Sequence, residues 1–138
     1  MTRFSALSVL LFGLFGLLSI TACKKDPAAD RDKFIGDYAA EETCNPNLPF
    51  NMTVFESNTG ENDVIITNFG NFAHNVNATV SGSSIVMSTQ SFTINNGSPV
   101  VITLSGNGTI EGKTMTIAYT WSSQTSGEVT CIVTCTQG

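Results

Sequence analysis

Positive charge is scarce in this sequence. Six Lys and Arg stand against eleven Asp and Glu, for a formal net charge of −5. From Phe34 onward the imbalance is steeper: Asp37, Glu41, Glu42, Glu56, Glu61, Asp63, Glu111 and Glu128 face Lys113 alone, about −7. A nucleic-acid binder needs basic side chains to displace counterions from phosphates, so that class is excluded. Histidine is scarcer still, His74 being the only one. Activating a Ser or Cys nucleophile needs a base within reach, and one His in a loop-like stretch makes a poor case. Glu41 and Glu42 are adjacent, but neighbours on a strand point to opposite faces and form no catalytic pair. Glu61 and Asp63 at a turn supply too few oxygens for calcium, and the cysteines with His74 lack zinc spacing. The glycines form no phosphate loop, and no window has a helical period. The expectation is a non-enzyme with no metal and no cofactor.

What is present begins with a segment unlike the rest. Arg3 is followed by an uncharged run from Phe4 to Ile20. A basic start, an apolar stretch and small residues near a cleavage point make a secretory signal peptide. The run is barely long enough to span a bilayer, which takes about 20 apolar residues, and Ser5, Ser8, Gly13, Gly16 and Ser19 interrupt it. Ile20-Thr21-Ala22-Cys23 then resembles the lipobox of bacterial lipoproteins. That resemblance implies removal of residues 1–22, diacylglycerol on the Cys23 thiol and an acyl chain such as palmitate on the new amino terminus. Each buried methylene contributes about 0.8 kcal/mol and stable anchoring takes more than one chain, a condition a triacylated Cys23 meets. The implied location is the outer membrane, facing either the periplasm or the exterior.

Residues 23–33 read as the lipidated cysteine and a flexible tether, polar and interrupted by Pro27. The remainder, 34–138, is about 105 residues, one domain with one modest core. Its strongest signal is alternation. Phe34, Gly36, Tyr38, Ala40 and Cys44 share a face against Asp37 and Glu41, and Glu42 reads as a break near the end of that strand. Val76, Ala78 and Val80 alternate with Asn77, Thr79 and Ser81, and Met115, Ile117, Tyr119 and Trp121 with Thr116, Ala118 and Thr120. This describes an all-β antiparallel sheet with a Thr-rich wet face and a packed face. Short Gly- and Asn-rich connections join neighbours, so the expected order is a meander of about eight strands. Thr79–Ile85 and Thr109–Met115 share one hairpin pattern, which favours an up-and-down barrel, whole or flattened.

With Cys23 lipidated, Cys44, Cys131 and Cys135 remain, and an oxidising compartment favours a disulfide. If the first strand pairs with the last, Cys44 lies near Cys131, and Cys135 sits further along, opposite residues near Ala40. Cys44–Cys131 is therefore expected, with Cys44–Cys135 as the alternative and Cys135 a small buried hydrophobe. Phe34-Ile35-Gly36-Asp37-Tyr38, then Glu42-Thr43-Cys44, Thr-rich hairpins and a terminal cysteine strand resemble small lipocalin-like lipoproteins of the calycin type. Barrels of that group carry small lipophilic ligands. The resemblance makes Tyr38, Phe92, Leu104, Met115, Tyr119 and Trp121 candidate lining residues, though the same side chains can fill the interior. The irregular stretch Asn68–His74 offers Phe69, Phe72 and His74 as a lid or partner loop, or its rings plug one end of the barrel. Two functional readings result: a lipid-anchored, non-catalytic module that meets a protein partner, and a carrier of a small apolar ligand.

Overall fold

A computed structural model describes residues 26 and 30–138. The expected signal segment, Cys23 and the tether up to residue 29, Asp26 excepted, lie outside the described residues. Eight strands follow in order: β1 (Gly36–Glu42), β2 (Phe50–Glu56), β3 (Asp63–Thr67), β4 (Asn75–Ser81), β5 (Ser84–Asn96), β6 (Ser98–Glu111), β7 (Thr114–Ser123) and β8 (Val129–Gln137). Each pairs antiparallel with its sequence neighbour, and β1 closes on β8. The result is the expected all-β meander in the form of a closed barrel.

Alternation places the core. Successive side chains of a strand leave on opposite faces, and β4 buries Val76, Ala78 and Val80 while Asn75, Asn77, Thr79 and Ser81 stay exposed. β1 corrects one expectation. Glu42 does not break the pattern but continues the inward row of Tyr38 and Ala40, and is 4% exposed. Burying a carboxylate is costly unless it is hydrogen-bonded, and partners described below take up both of its oxygens. The seam between first and last strands has the expected register, Ala40 opposite Cys135. Beyond Glu42 the Thr43 N–H still donates to the Ile132 carbonyl at 3.0 Å. That brings Cys44 to Cys131, and the two form a disulfide with their Cα atoms 5.5 Å apart.

The repeated hairpin is real. Val80 pairs with Ile85 and Ile110 with Met115, each pair buried, around turns at Gly82 (φ 64°) and Gly112 (φ 59°). β6 carries two glycines on its inward row, Gly106 and Gly108. A methyl on Gly108 would stand 2.2 Å from the Thr116 carbonyl oxygen, and one on Gly106 2.7 Å from that of Ala118. The close approach of β6 to β7 therefore requires positions without a side chain, a common device at barrel bends. β5 has a register shift between Met87 and Gln90. There the Gln90 amide stands in for a strand residue, accepting from Asn77 N–H at 2.9 Å and donating to Asn77 O at 2.8 Å.

The two ends of the barrel differ. One end holds the turns at Gly82 and Gly112, the β2–β3 loop and the carboxyl terminus. A turn through Asp30–Phe34 docks there: the Asp30 carboxylate accepts from Gly82 N–H at 2.9 Å and from Lys33 Nζ at 3.0 Å. Arg31 meets Glu56 at 3.2 Å, and Asp30 is only 6% exposed. The described chain is thus packed against the barrel from Asp30 onward. The opposite end carries the disulfide, the loop between β3 and β4, and an arm. β4 pairs with β5 only through Val86 and β7 with β6 only from Ile102, so Ser91–Val101 extends as a two-stranded arm.

Candidate functional site

The inward residues named from the sequence divide into two groups. Tyr38, Leu104, Met115 and Tyr119 lie in the core with 0–2% of their surface exposed, as do Val54, Ile66, Ile85 and Ile117 around them. With so little of their surface open, these side chains fill the barrel axis. Phe92 and Trp121 are different. Both are half-buried and stand at the rim of the open end. The grooves found on the molecule run over its outside, for example along Asp37–Ala39, Asn51–Thr53 and Thr136.

The rim is closed by the segment that the sequence marked. A 3-10 turn, Phe69–Asn71, sits between β3 and β4. Phe69 is fully buried, with its ring edge-on to Tyr119 at 4.8 Å between centroids. Phe72 is half-buried between Phe92 and Trp121, 5.7 Å from each ring. His74 stacks on Phe92 at 4.6 Å. Both phenylalanines therefore plug the mouth, and Phe72, Phe92, Trp121 and His74 form a continuous aromatic surface over it. The lid is held in unusual backbone: Asn68 (φ 53°), Asn71 (φ 58°) and Ala73 (φ 55°) are left-handed without being glycine. Asn tolerates this conformation, while Ala adopts it at a cost. The Asn68 side chain clasps the loop, donating to Asn51 O at 2.8 Å and accepting from Ala73 N–H at 2.9 Å. Gly70 fits because a methyl there would meet Phe72 Cε2 at 2.8 Å and the Tyr119 hydroxyl at 3.0 Å.

Beneath the lid lies the residue that sequence reasoning passed over. Glu42 Oε2 accepts from the Tyr119 hydroxyl at 2.5 Å, and Oε1 accepts from Asn45 Nδ2 at 2.8 Å. Burial, and next to it the Glu42 carboxylate, push the Tyr119 phenol well above its ordinary value. The signal was present as parity: Tyr38, Ala40 and Glu42 are two apart, and Tyr119 has the inward phase of β7. Glu41 faces outward, so the two acids form no dyad. Of the turn acids, Asp63 at the start of β3 accepts from the Thr59 and Thr79 hydroxyls at 2.8 and 2.9 Å, tying the β2–β3 loop to β4. Cys135 is the free, buried thiol, donating to Met115 O at 3.3 Å, and burial pushes it up to about 12.

Comparison with known proteins returned no matching family model, no matching curated protein and no matching solved structure.

Proposed function

We propose that the chain is a lipid-anchored lipoprotein of the outer membrane and a non-catalytic binding module, working through the open end of its barrel. The observation that carries the reading is the opposition of the two ends. Asp30, where the chain coming from Cys23 meets the barrel, is at the tight-turn end. Seven Cα steps separate Cys23 from Asp30, at most about 25 Å of extended chain. A diacylated Cys23 would hold the tight-turn end close to the bilayer and point the lid, the arm Ser91–Val101 and the β7–β8 loop away from it. The described Lys and Arg side chains, Arg31, Lys33 and Lys113, are all at the near end, where anionic headgroups would favour them. The packed interior supports contact through the rim over carriage of an apolar ligand along the axis.

Fractionation tests the anchor. Cys23→Ser should move the protein from the membrane to the soluble fraction, and retention of the variant on membranes would refute lipidation. Photo-crosslinking in the native envelope tests the orientation. A crosslinker at Leu48, which is 59% exposed in the β1–β2 loop at the open end, should give discrete protein adducts. One at Lys113 should give lipid adducts or none. The reverse pattern would overturn the orientation.

A further inference from the structure

The arm Ser91–Val101 leaves the barrel with both of its edges bare. β4 stops pairing with β5 at Val86 and β7 stops pairing with β6 at Ile102, so along the arm the two strands pair only with each other. Close to the barrel the gap is sealed, because the Gln90 amide takes up both the N–H and the C=O of Asn77. Beyond Gln90 no such cover exists among the described residues, and alternate residues of β5 turn their N–H and C=O away from β6. The β6 edge of the arm is blunted by Pro99, opposite Asn95, which has no N–H to donate. The β5 edge, Ser91–Asn96, has neither proline nor charge, two of the devices that keep an edge from pairing with another chain. A two-stranded ribbon is marginal by itself and gains from further strands that share an apolar face. Such a face is present. Phe92 pairs with Ile102 and Ile94 with Val100, on the side that rests, at Phe92, against Phe72 and His74. Ile94 and Val100, one step further out along the arm, are only half-buried.

We infer that the β5 edge of the arm pairs antiparallel with the β5 edge of a second copy of this chain, joining two arms into one four-stranded sheet. The inference rests on the reading of the open end as the binding end and names the partner met there. Charge selects the occupant. Each domain carries about −7, and copies so charged repel. Yet Val64–Ile110, which contains the whole arm, holds no Asp, Glu, Lys or Arg. Two copies can therefore meet along the arm with no acid opposite an acid, whereas a partner chosen by charge would find nothing to read there. Ile94 and Val100 of the two arms then continue into one apolar face. The pairing is also self-limiting. A two-fold contact uses the same patch on both subunits, so it consumes both β5 edges and leaves outside only the β6 edges with Pro99. The sheet closes at four strands instead of growing. Copies anchored in one leaflet would hold their arms at the same height, which favours the encounter.

The test is thiol crosslinking of the full chain in the native envelope, with Thr93→Cys. Cys44 and Cys131 are bonded and Cys135 is buried, so a thiol on the exposed face of the arm is the reactive one. Opposite and diagonal residues of two paired strands lie within about 8 Å. A bismaleimide of that reach therefore joins two copies of the Thr93→Cys chain for any register centred on Phe92, Thr93 or Ile94. Thr116→Cys, exposed on β7, controls for random collision. A covalent dimer is expected at least tenfold more abundant with Thr93→Cys than with Thr116→Cys. Adding Ile94→Lys should lower the Thr93→Cys yield at least tenfold, because it sets a charge in each half of the shared apolar face. No dimer, equal yields at the two positions, or an undiminished yield in a folded chain with Ile94→Lys would overturn the inference. If that double variant does not fold, the contrast between Thr93→Cys and Thr116→Cys decides alone. Adducts with a different protein in place of the dimer would overturn the second-copy assignment. None of these failures touches the crosslinking contrast between Leu48 and Lys113, which tests the orientation separately.

Discussion

The two ends of this barrel are made from the same strands yet solve different problems. At the tight-turn end the chain reverses over glycines, Gly82 and Gly112, and the incoming turn is clamped by charge: Asp30 on Gly82 N–H and Lys33, Arg31 on Glu56. At the open end there is no described Lys or Arg. Order there comes from a covalent bond, Cys44–Cys131, from rings packed mostly edge-on, and from a buried acid satisfied by neutral donors. A barrel needs a seal at each end, and charge clamps beside solvent would serve. An aromatic lid over a desolvated carboxylate is a more expensive arrangement than sealing alone requires, which supports the proposal that the open end is the binding end.

The largest contrast should appear when the covalent bond is removed. Cys44 and Cys131 close a loop with a sequence separation of 87, worth about 4–5 kcal/mol in the chain-entropy account. Replacing both by Ser should lower denaturant-derived stability by that order, with protection from hydrogen exchange falling first in Thr43–Pro49 and in the lid. A loss below about 1 kcal/mol would mean that the β1–β8 ladder and the rings hold the open end unaided, and the contrast would collapse to one of decoration.

Next comes Tyr119→Phe. It deletes the 2.5 Å donor to Glu42 and leaves a buried carboxylate one partner short. Hydrogen bonds to charged groups are worth about 1.5–3 kcal/mol, neutral ones about 1. We expect a loss of about 2 kcal/mol by chemical denaturation. The matched change Tyr38→Phe removes a 2.9 Å hydrogen bond to the neutral carbonyl of Phe34 and should cost about half as much. Equal losses would show that the contact between Tyr119 and Glu42 is no stronger than a hydrogen bond to a neutral carbonyl.

The strands, their order, the register that opposes Ala40 to Cys135, and the disulfide were all legible in the sequence. Each depends on period-two alternation and on short turns, which are local signals. The mouth was legible only as a list of residues. Phe69, Phe72 and His74 stood out as aromatics in an irregular stretch, but that Phe72 meets Trp121 and His74 meets Phe92 depends on how far β5 runs past β4, a tertiary fact. Glu42 looks like a break because it is polar, whereas strand geometry fixes phase whatever the residue. The carboxylate is inward because Tyr38 and Ala40 are, and it is tolerable there because Tyr119 and Asn45 lie across the barrel mouth. Asp30–Lys33 are polar, and nothing local announces that Gly82, distant in sequence, presents its N–H to Asp30.

The smallest effect sharpens the other side of the comparison. Asp30→Asn keeps an oxygen for the Gly82 N–H but removes the charge that faces Lys33, which is largely exposed on its own side. Pairs of this kind contribute about 0.2–1 kcal/mol and weaken with salt, so the variant should lose about 0.5 kcal/mol at low ionic strength and almost nothing in molar salt. Tyr119→Phe should show no such salt dependence, since it removes a neutral hydroxyl donor and breaks no ion pair. If Asp30→Asn instead costs as much as Tyr119→Phe, and salt leaves the loss unchanged, the turn through Asp30–Phe34 is an integral part of the core. The tight-turn end would then be as specialised as the mouth, and the argument that function sits at one end would lose its energetic support.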